Sequence, residues 1–532
     1  MVGQQADKAE LAEVHDVLAP RTPPLSPKLP AAAAVLKAEP VAGVAAASPT
    51  AAAELQGYWQ VFQGKRVLII SGGTRGDVQP ATALGVALAG LGARVCVAAD
   101  AMFGGFVQQQ GLAYRQLAGD ARGMMALTVK WGGMLPTEVS GMSWLRSQIA
   151  AVMDSVAAAA EGWQPDIILA NQLAYGQVHV AEKLQVPLHI LLTIPWMPTT
   201  AIAHPWARAW GANITEYINA AAEALLRPGF ALLALFAPKK SARVKAAVLR
   251  RVAAWGNWIS TPLLDHTAWW GIADLMTSFR RQLGLPLLSA NNSGGALYRV
   301  PTTCLFSTAL VPRPPDWGSN VTLAGFLSLS DAAARFGAAA AASAAAGNGG
   351  GSSSTRVLCI KEAPHEWLFP RCSALVHHGG VGTTAAGLRC GKPTVVVPAF
   401  GDLFFFADMC HKLGVGPAPM PLPELTADRL LATLQQLVAE HGRYSAAAAG
   451  VANQLRCEDG LAAAVASVAH CSEDWASDSQ EYYSDVDSDD EDEERAGVPV
   501  PLRCERQYQE MCRARAVARS RLHQAQATVQ QQ

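Results

Sequence analysis

Apolar and polar positions fall into blocks along the chain. Arg66–Ser71 (RVLIIS) is a short, nearly continuous apolar run that ends in glycines. A run of that length fits a strand buried on both faces of a parallel sheet. Residues 78–92 (VQPATALGVALAGLG) read as a helix and Ala93–Ala99 (ARVCVAA) as a second strand. Strand, glycine-rich turn, helix, strand is a βαβ unit. The strand signal recurs at Asp166–Ala170 (DIILA) and Pro187–Thr193 (PLHILLT), with helical material at residues 149–161 and Val178–Leu184. Residues 66–200 therefore predict a doubly wound sheet. Residues 206–285 are helical in character and rich in Trp and Leu. A second α/β unit is predicted over 356–470, with strands at Arg356–Ile360, Ala374–His377 and Thr394–Pro398.

Composition changes divide the chain further. Residues 1–57 are rich in Ala and Pro and predict a disordered tail. Residues 58–330 form a first domain. Residues 331–355 (DAAARFGAAAAASAAAGNGGGSSST) read as a flexible linker, followed by the second domain at 356–470. Residues 471–532 read as a disordered tail with room for a short helix, and the run SDVDSDDEDEE within it repels itself. Its serines suit acidophilic kinases, or the tail serves solubility alone.

The 532 residues are half hydrophobic and 16% charged, ample material for large cores. A net charge of -1 gives no global field toward nucleic acid, which is not expected as a partner. One local cluster, Lys239, Lys240, Arg243, Lys245, Arg250 and Arg251, lies among apolar residues. It fits a helix lying on an anionic bilayer, or a solvated face of a helix packed on the domain. The ten cysteines form no CxxC pair and read as reduced thiols without a metal cluster. No secretory signal or apolar run of ~18 residues is evident, so a cytoplasmic protein with at most peripheral membrane contact is expected.

Three motifs carry chemistry. Gly72-Gly73-Thr74-Arg75-Gly76-Asp77 follows the first strand, where open α/β sheets bind ligands. Asp77 fits either a general base or a helix N-cap. His377-His378-Gly379-Gly380-Val381-Gly382-Thr383-Thr384 follows another apolar strand and opens a helix. Backbone N–H groups there suit a diphosphate, with Thr hydroxyls and imidazole as further donors. Pro398-Ala399-Phe400-Gly401-Asp402 places a carboxylate at the next strand end, for sugar hydroxyls or simply for a turn.

The chain resembles the sterol 3-beta-glucosyltransferases, within a group that includes bacterial antibiotic glycosyltransferases. The resemblance rests on GGTRGDVQP, on PHEWLFPRCSALVHHGGVGTTAAGLRCGKPTVVVPAFGD and on GVGPAPMPLPELT. AYGQVHVAEKLQVPLHILLTIPWMPTTAIAHPWA, SFRRQLGLPLLS and LVPRPPDWGSNVTLAGF point to the sterol branch. It implies the α/β GT-B fold, two Rossmann-like domains facing a cleft, with acceptor in the first and UDP-glucose in the second. Asp77 would be the base for an inverting transfer. His377, His378, Gly379, Gly380, Gly382, Thr383 and Thr384 would hold the diphosphate, Asp402 the glucose, and Pro364 and Trp367 would lie near the uracil. Gly73, Thr74, Arg75, Trp196, His204 and Trp206 would line the acceptor side, the last three being equally compatible with ordinary core. No metal and no cofactor beyond the co-substrate UDP-glucose are implied.

The sequence departs from the family twice. GFLSL at 325–329 runs straight into the linker, and no GFGS-like turn follows. The C-terminal domain is therefore expected to be truncated, lacking the first half of its sheet and leaving an unpaired edge. Leu403 stands where the family usually has a sugar-binding Gln, at a cost on the order of 1 kcal/mol per lost hydrogen bond. Two alternatives stay open: a sterol- or lipid-binding remnant without transfer, and a transferase for another lipophilic acceptor.

Overall fold

The structure, a computed structural model, describes residues 55, 57–131, 138–209, 212–236, 238–287, 298, 300–330, 353–354, 357–358 and 363–478. Most of the Ala/Pro-rich tail, most of the acidic tail and most of the expected linker lie outside them; Leu55, expected in the first tail, is buried in the core, and residues 471–478, expected in the second, continue a helix that starts at Gly460.

The first unit is one sheet of seven parallel strands. These are β1 (Arg66–Ser71), β2 (Arg94–Asp100), β3 (Ala113–Leu117), β4 (Ile167–Asn171), β5 (Leu188–Leu192), β6 (Thr302–Cys304) and β7 (Val321–Leu323). Their order is β3-β2-β1-β4-β5-β6-β7. Val67 pairs with Val95 on one side and Ile167 on the other. That central place explains the unbroken apolar run. Leu68 and Ile70 enter one core cluster, while Val67 and Ile69 enter the cluster on the opposite face.

The strand order reverses between β1 and β4, where open sheets part and bind ligands. Asn171 bridges that gap, accepting from Gly72 N at 3.1 Å and donating to Gly72 O at 2.6 Å. Helix α1 (Arg75–Gly90) leaves from the same place. It begins ahead of the apolar pattern because Thr74 caps it. Thr74 accepts from Gly76 N, and Asp77 accepts from Thr74 N.

Helices α2 (Val139–Trp163) and α3 (Gln177–Leu184) cover the sheet. Helices α4 (Ile214–Phe236) and α5 (Pro238–Leu283) form a long hairpin. The end of α5 is locked to α3 by Arg280, which is 2% exposed. Its guanidinium donates to both Glu182 carboxylate oxygens at 2.6 and 2.9 Å, to His179 Nδ1 at 3.0 Å and to Pro286 O at 2.6 Å. Burial, then the Arg280 charge, pushes His179 down to about 3, so it stays neutral and can accept.

The second unit holds α6 (His365–Leu368), β8 (Leu375–His377), α7 (Val381–Arg389), β9 (Thr394–Val396), α8 (Asp402–Lys412), α9 (Ala427–Ala439) and α10 (His441–Arg456). Strands β8 and β9 are parallel and, among the described residues, pair only with each other. Of the strand expected at 356–360, Val357–Leu358 is described, antiparallel to Ser353–Ser354 from the end of the expected linker. Helix α11 (Gly460–Asp478) then crosses back to the first unit. Leu461, Val465 and Val468 share a buried cluster with Val67, Ile69 and Leu84. At the crossing, Glu458 accepts from Ser307 at 2.7 Å and Thr308 at 2.9 Å, close to Gly325.

Arg280→Ala should strand Glu182 partly buried without its cation and cost about 3–5 kcal/mol in urea unfolding. Trp270→Ala, at a position 85% exposed, should change stability by less than about 0.5 kcal/mol. Equal effects from the two substitutions would show that the buried ion pair is not a lock.

Candidate functional site

The site is built where the loop after β1 meets the loops after β8 and β9. Gly73 has φ +107°, and a Cβ there would lie 2.5 Å from Asp77 Oδ2, so glycine is required. Asp77 Oδ2 accepts from Thr74 N at 2.9 Å and Thr74 Oγ1 at 3.3 Å. Asp77 Oδ1 accepts from Thr193 Oγ1, just beyond β5, at 2.9 Å. Burial nevertheless raises the Asp77 pKa, outweighing the lowering effect of these bonds. A more basic carboxylate takes a proton more readily. The two sequence roles of Asp77 are thus compatible: one oxygen closes the helix cap, and the other faces β5. Arg75 lies exposed, its guanidinium 5.3 Å from the Phe106 ring centroid and its Nε donating to Gln79 at 3.2 Å.

Across the interface, Gly380 caps α7 without a side chain. The first turn of a helix has N–H groups with no intrahelical acceptor. Thr384 is 1% exposed, and its hydroxyl has no hydrogen-bond partner. His377 behaves otherwise than the motif implied. Its Nδ1 accepts from Gly379 N at 3.0 Å, leaving Nε2–H to meet Thr394 Oγ1 at 2.7 Å. Burial, with His378 and His365 nearby, pushes it down to about 4. A neutral ring engaged at both nitrogens shapes the turn and has no N–H left for a diphosphate. His378 folds over Gly380, its Nε2 2.5 Å from where a Cβ would stand. Burial first, then His365, lowers its pKa.

The two units touch directly here. A Cβ on Gly382 would lie 3.8 Å from Gly76 Cα, and one on Gly76 would lie 3.5 Å from Val381 Cγ1. Trp206 packs on Phe400, with ring centroids 5.9 Å apart, and its ring would meet a Cβ on Gly401 at 2.8 Å. Asp402 opens α8. Burial first, and the Asp77 charge second, push it up to about 7. Leu403 is buried, with its backbone carbonyl against Gly379. Pro364 leads into α6, whose Trp367 is half exposed with the Arg371 guanidinium 4.6 Å from its ring centroid.

Behind β5 lies a small cavity of about 10 Å³, room for about one water, lined by Gln172, Ile190, Leu192, Trp196, Met197, Tyr298 and Thr302. Of the three acceptor-side candidates in this segment only Trp196 lines it. His204 is buried behind, edge-to-face with Trp196 at 4.4 Å, and burial keeps it neutral at about 3. Trp206 faces the second unit instead. Asp265 on α5 accepts from Trp196 Nε1 at 3.1 Å and from the Tyr298 hydroxyl. Thr193, Gln172, Tyr298 and Asp265 escaped the sequence reading. Gln172 stands just past one predicted strand and Thr193 ends another, a position that marks ligand-facing residues. Among the described residues no group of three or more His, Cys, Asp or Glu is placed to hold a metal ion.

The sequence model of the glycosyltransferase family 28 N-terminal domain matches residues 67–203, and that of the erythromycin biosynthesis protein CIII-like C-terminal domain matches 328–467. Sterol 3-beta-glucosyltransferase UGT80B1 of Arabidopsis thaliana is 31% identical over 456 residues, covering 75% of this chain and 67% of that protein. The chain belongs to the sterol 3-beta-glucosyltransferase family.

A second Arabidopsis member, UGT80A2, is 29% identical over 76% of this chain and 65% of its own length. The Yarrowia lipolytica member is 26% identical, but the chain spans only 28% of it. Among solved structures, the kitacinnamycin glycosyltransferase aligns with a TM-score of 0.48 at 16% identity, over 77% of this chain and 99% of that one. The calicheamicin glycosyltransferase CalG4 aligns with a TM-score of 0.49 at 12% identity, over 78% and 100%. The assignment rests on sequence and topology rather than on these superpositions. Asp77 and Trp196 fall within the first matched family domain, and the α7 turn and Asp402 within the second.

The raised Asp402 pKa has a consequence for stability. The folded protein holds this proton more tightly than the unfolded chain, whose carboxyl titrates near 3.8. Its contribution is complete below about pH 4 and is lost as pH rises through about 7. Thermal melts across that window should show Tm falling with pH, and Asp402→Asn should flatten the slope. An unchanged slope in the variant would reject the assignment.

Proposed function

We propose that the protein transfers glucose from UDP-glucose to the 3β-hydroxyl of a sterol, with inversion and without a metal. The observation that carries this reading is the meeting of Asp77 with the glycine turn of α7, beside an apolar cavity. Asp77 takes the proton of the acceptor hydroxyl, whose oxygen attacks the anomeric carbon as the bond to UDP breaks. The α7 N-terminus and the Thr383 and Thr384 hydroxyls stabilise the departing diphosphate. Asp402 accepts from glucose hydroxyls. The contact between Gly76 and Gly382 leaves no room for a sugar, so the units must part to admit the donor.

The donor half is proposed to be shortened. Its sheet of two strands among the described residues supports this, as does an alignment of 456 positions that takes in only 75% of a 532-residue chain. These observations also favour a second reading, sterol or lipid binding with a weakened donor site. Calorimetry with UDP separates the two, since micromolar binding supports transfer and no heat supports the remnant. The cavity, with room for about one water, is far smaller than the ~300–1,000 Å³ usual for small-molecule pockets, so its wall must part to admit an acceptor, and another lipophilic acceptor is tested beside sterols. The proposed location is the cytoplasm, supported by the free cysteines among the described residues. An acceptor that dissolves in bilayers calls for peripheral membrane contact. Among the described residues no helix is long and apolar enough to cross a membrane.

Purified protein with radiolabelled UDP-glucose and sterol should yield labelled steryl glucoside. Asp77→Asn should lower kcat by ~10²–10⁴-fold with an unchanged melting curve. Thr193→Val removes a bond that lowers the Asp77 pKa, so the acid limb of the pH–rate profile should move to higher pH. A folded protein that makes no product rejects transfer, and an unmoved limb rejects Thr193 as the group that positions the base.

A further inference from the structure

The wall of the cavity behind β5 carries an amide oxygen that the fold leaves unmatched. Asn171 closes β4 and holds both backbone groups of Gly72, so Gln172 is the residue that leaves the strand. Ile168 and Ala170 point into the same core cluster as Ile190 and Leu192, and alternation along β4 carries Gln172 to that face. Its side chain lines the cavity beside Ile190 and Leu192. The Gln172 amide oxygen is buried, and no protein group donates to it.

The other polar side chains of the wall are engaged. The Tyr298 hydroxyl and Trp196 Nε1 both donate to Asp265, and the Thr302 hydroxyl donates to Val300 O at 2.9 Å. A buried acceptor without a donor costs the desolvation of its oxygen. An amide oxygen takes hydrogen-bond donors only. The space beside it has room for about one water, which is also the size of one hydroxyl group. Ile190, Leu192, Trp196 and Met197 make the rest of the lining apolar, so the skeleton that carries such a hydroxyl is apolar as well.

Asp77 serves a different hydroxyl. Leu192 and Ile194 enter the cluster on the cavity face, while Thr193 between them turns the other way and donates to Asp77. Leu173, next to Gln172, also turns that way, its Cδ1 3.1 Å from where a Cβ on Gly73 would stand. A hydroxyl that gives its proton to Asp77 and one that donates to Gln172 therefore sit on opposite faces of the strand ends. We propose that Gln172 forms a subsite for a second hydroxyl of the acceptor, and that the preferred acceptor is an apolar skeleton with two hydroxyls, one at Asp77 and one at Gln172. That this ligand is the acceptor rests on the transfer reading above, whereas the hydroxyl subsite stands on the cavity itself.

Binding to the full chain is measured by competition against a radiolabelled sterol in detergent, without UDP-glucose. The probes are a sterol with the 3β-hydroxyl alone, sterols with a second hydroxyl on a ring or on the side chain, and the ketones that match them. A diol in this panel should bind the wild type roughly tenfold tighter than the mono-ol, and its ketone, which cannot donate, should lose that gain. Gln172→Met, close in size and without the amide, should bind diol and mono-ol alike with an unchanged melting curve, and Gln172→Leu should do the same. In transfer assays the diol should show a lower KM than the mono-ol at the same kcat. Equal or absent binding across the panel, a ketone as tight as its diol, or a preference that survives in Gln172→Met would overturn the proposal. The first two results need no variant to fold. A preference lost in the variants, with no glucose transfer to any probe, upholds the subsite and rejects the transferase reading alone.

Discussion

A carboxylate set at the end of a buried strand must be held by donors from other parts of the chain. Asp77 is held by three, two from Thr74 and one from Thr193 beyond β5. Each bond to a charged group contributes roughly 1.5–3 kcal/mol when both partners are present. They fix the direction of the carboxylate without neutralising its basicity, because burial outweighs them. The geometry at the β1–β4 divide follows from this. Gly73 must lack a side chain to admit Asp77, and Asn171 must clamp Gly72 so that the turn leaves the strand in the right direction.

The second unit meets this carboxylate with another. Asp77 and Asp402 share an environment in which two full negative charges are unfavourable. The closed arrangement thus favours one proton between them. Sugar hydroxyls arriving between the units would replace that strained proximity with donors and with room. The same logic explains the apolar packing of Trp206 on Phe400 and Gly401, which closes the interface where no ligand stands.

Much of this was legible in the sequence where local pattern and burial coincide. Strands β4 and β5 are buried along their whole length and β1 at all but Arg66, and they read as apolar runs. Strand β3 (Ala113–Leu117) is partly exposed, and β6 and β7 have three residues each, too few to show a period. The glycine turns at Gly73 and Gly379 announced themselves, because positive φ and close approach demand glycine there. The role of His377 did not, since it depends on Thr394 from the next strand. The cavity was equally hidden: its wall joins Gln172 to Tyr298 through folding alone. The proposed shortening of the donor half was read from a missing turn, and the described sheet of two strands fits it.

The return of α11 to the first unit sets what kind of motion the molecule can make. The chain passes between the units near Phe326 and again near Gly460, whose Cβ would stand 2.9 Å from Phe326 O. Two passages at one edge, pinned by Glu458 on Ser307 and Thr308, forbid sliding and leave rotation as the soft coordinate. Such a door swings widest at the edge farthest from its pivot.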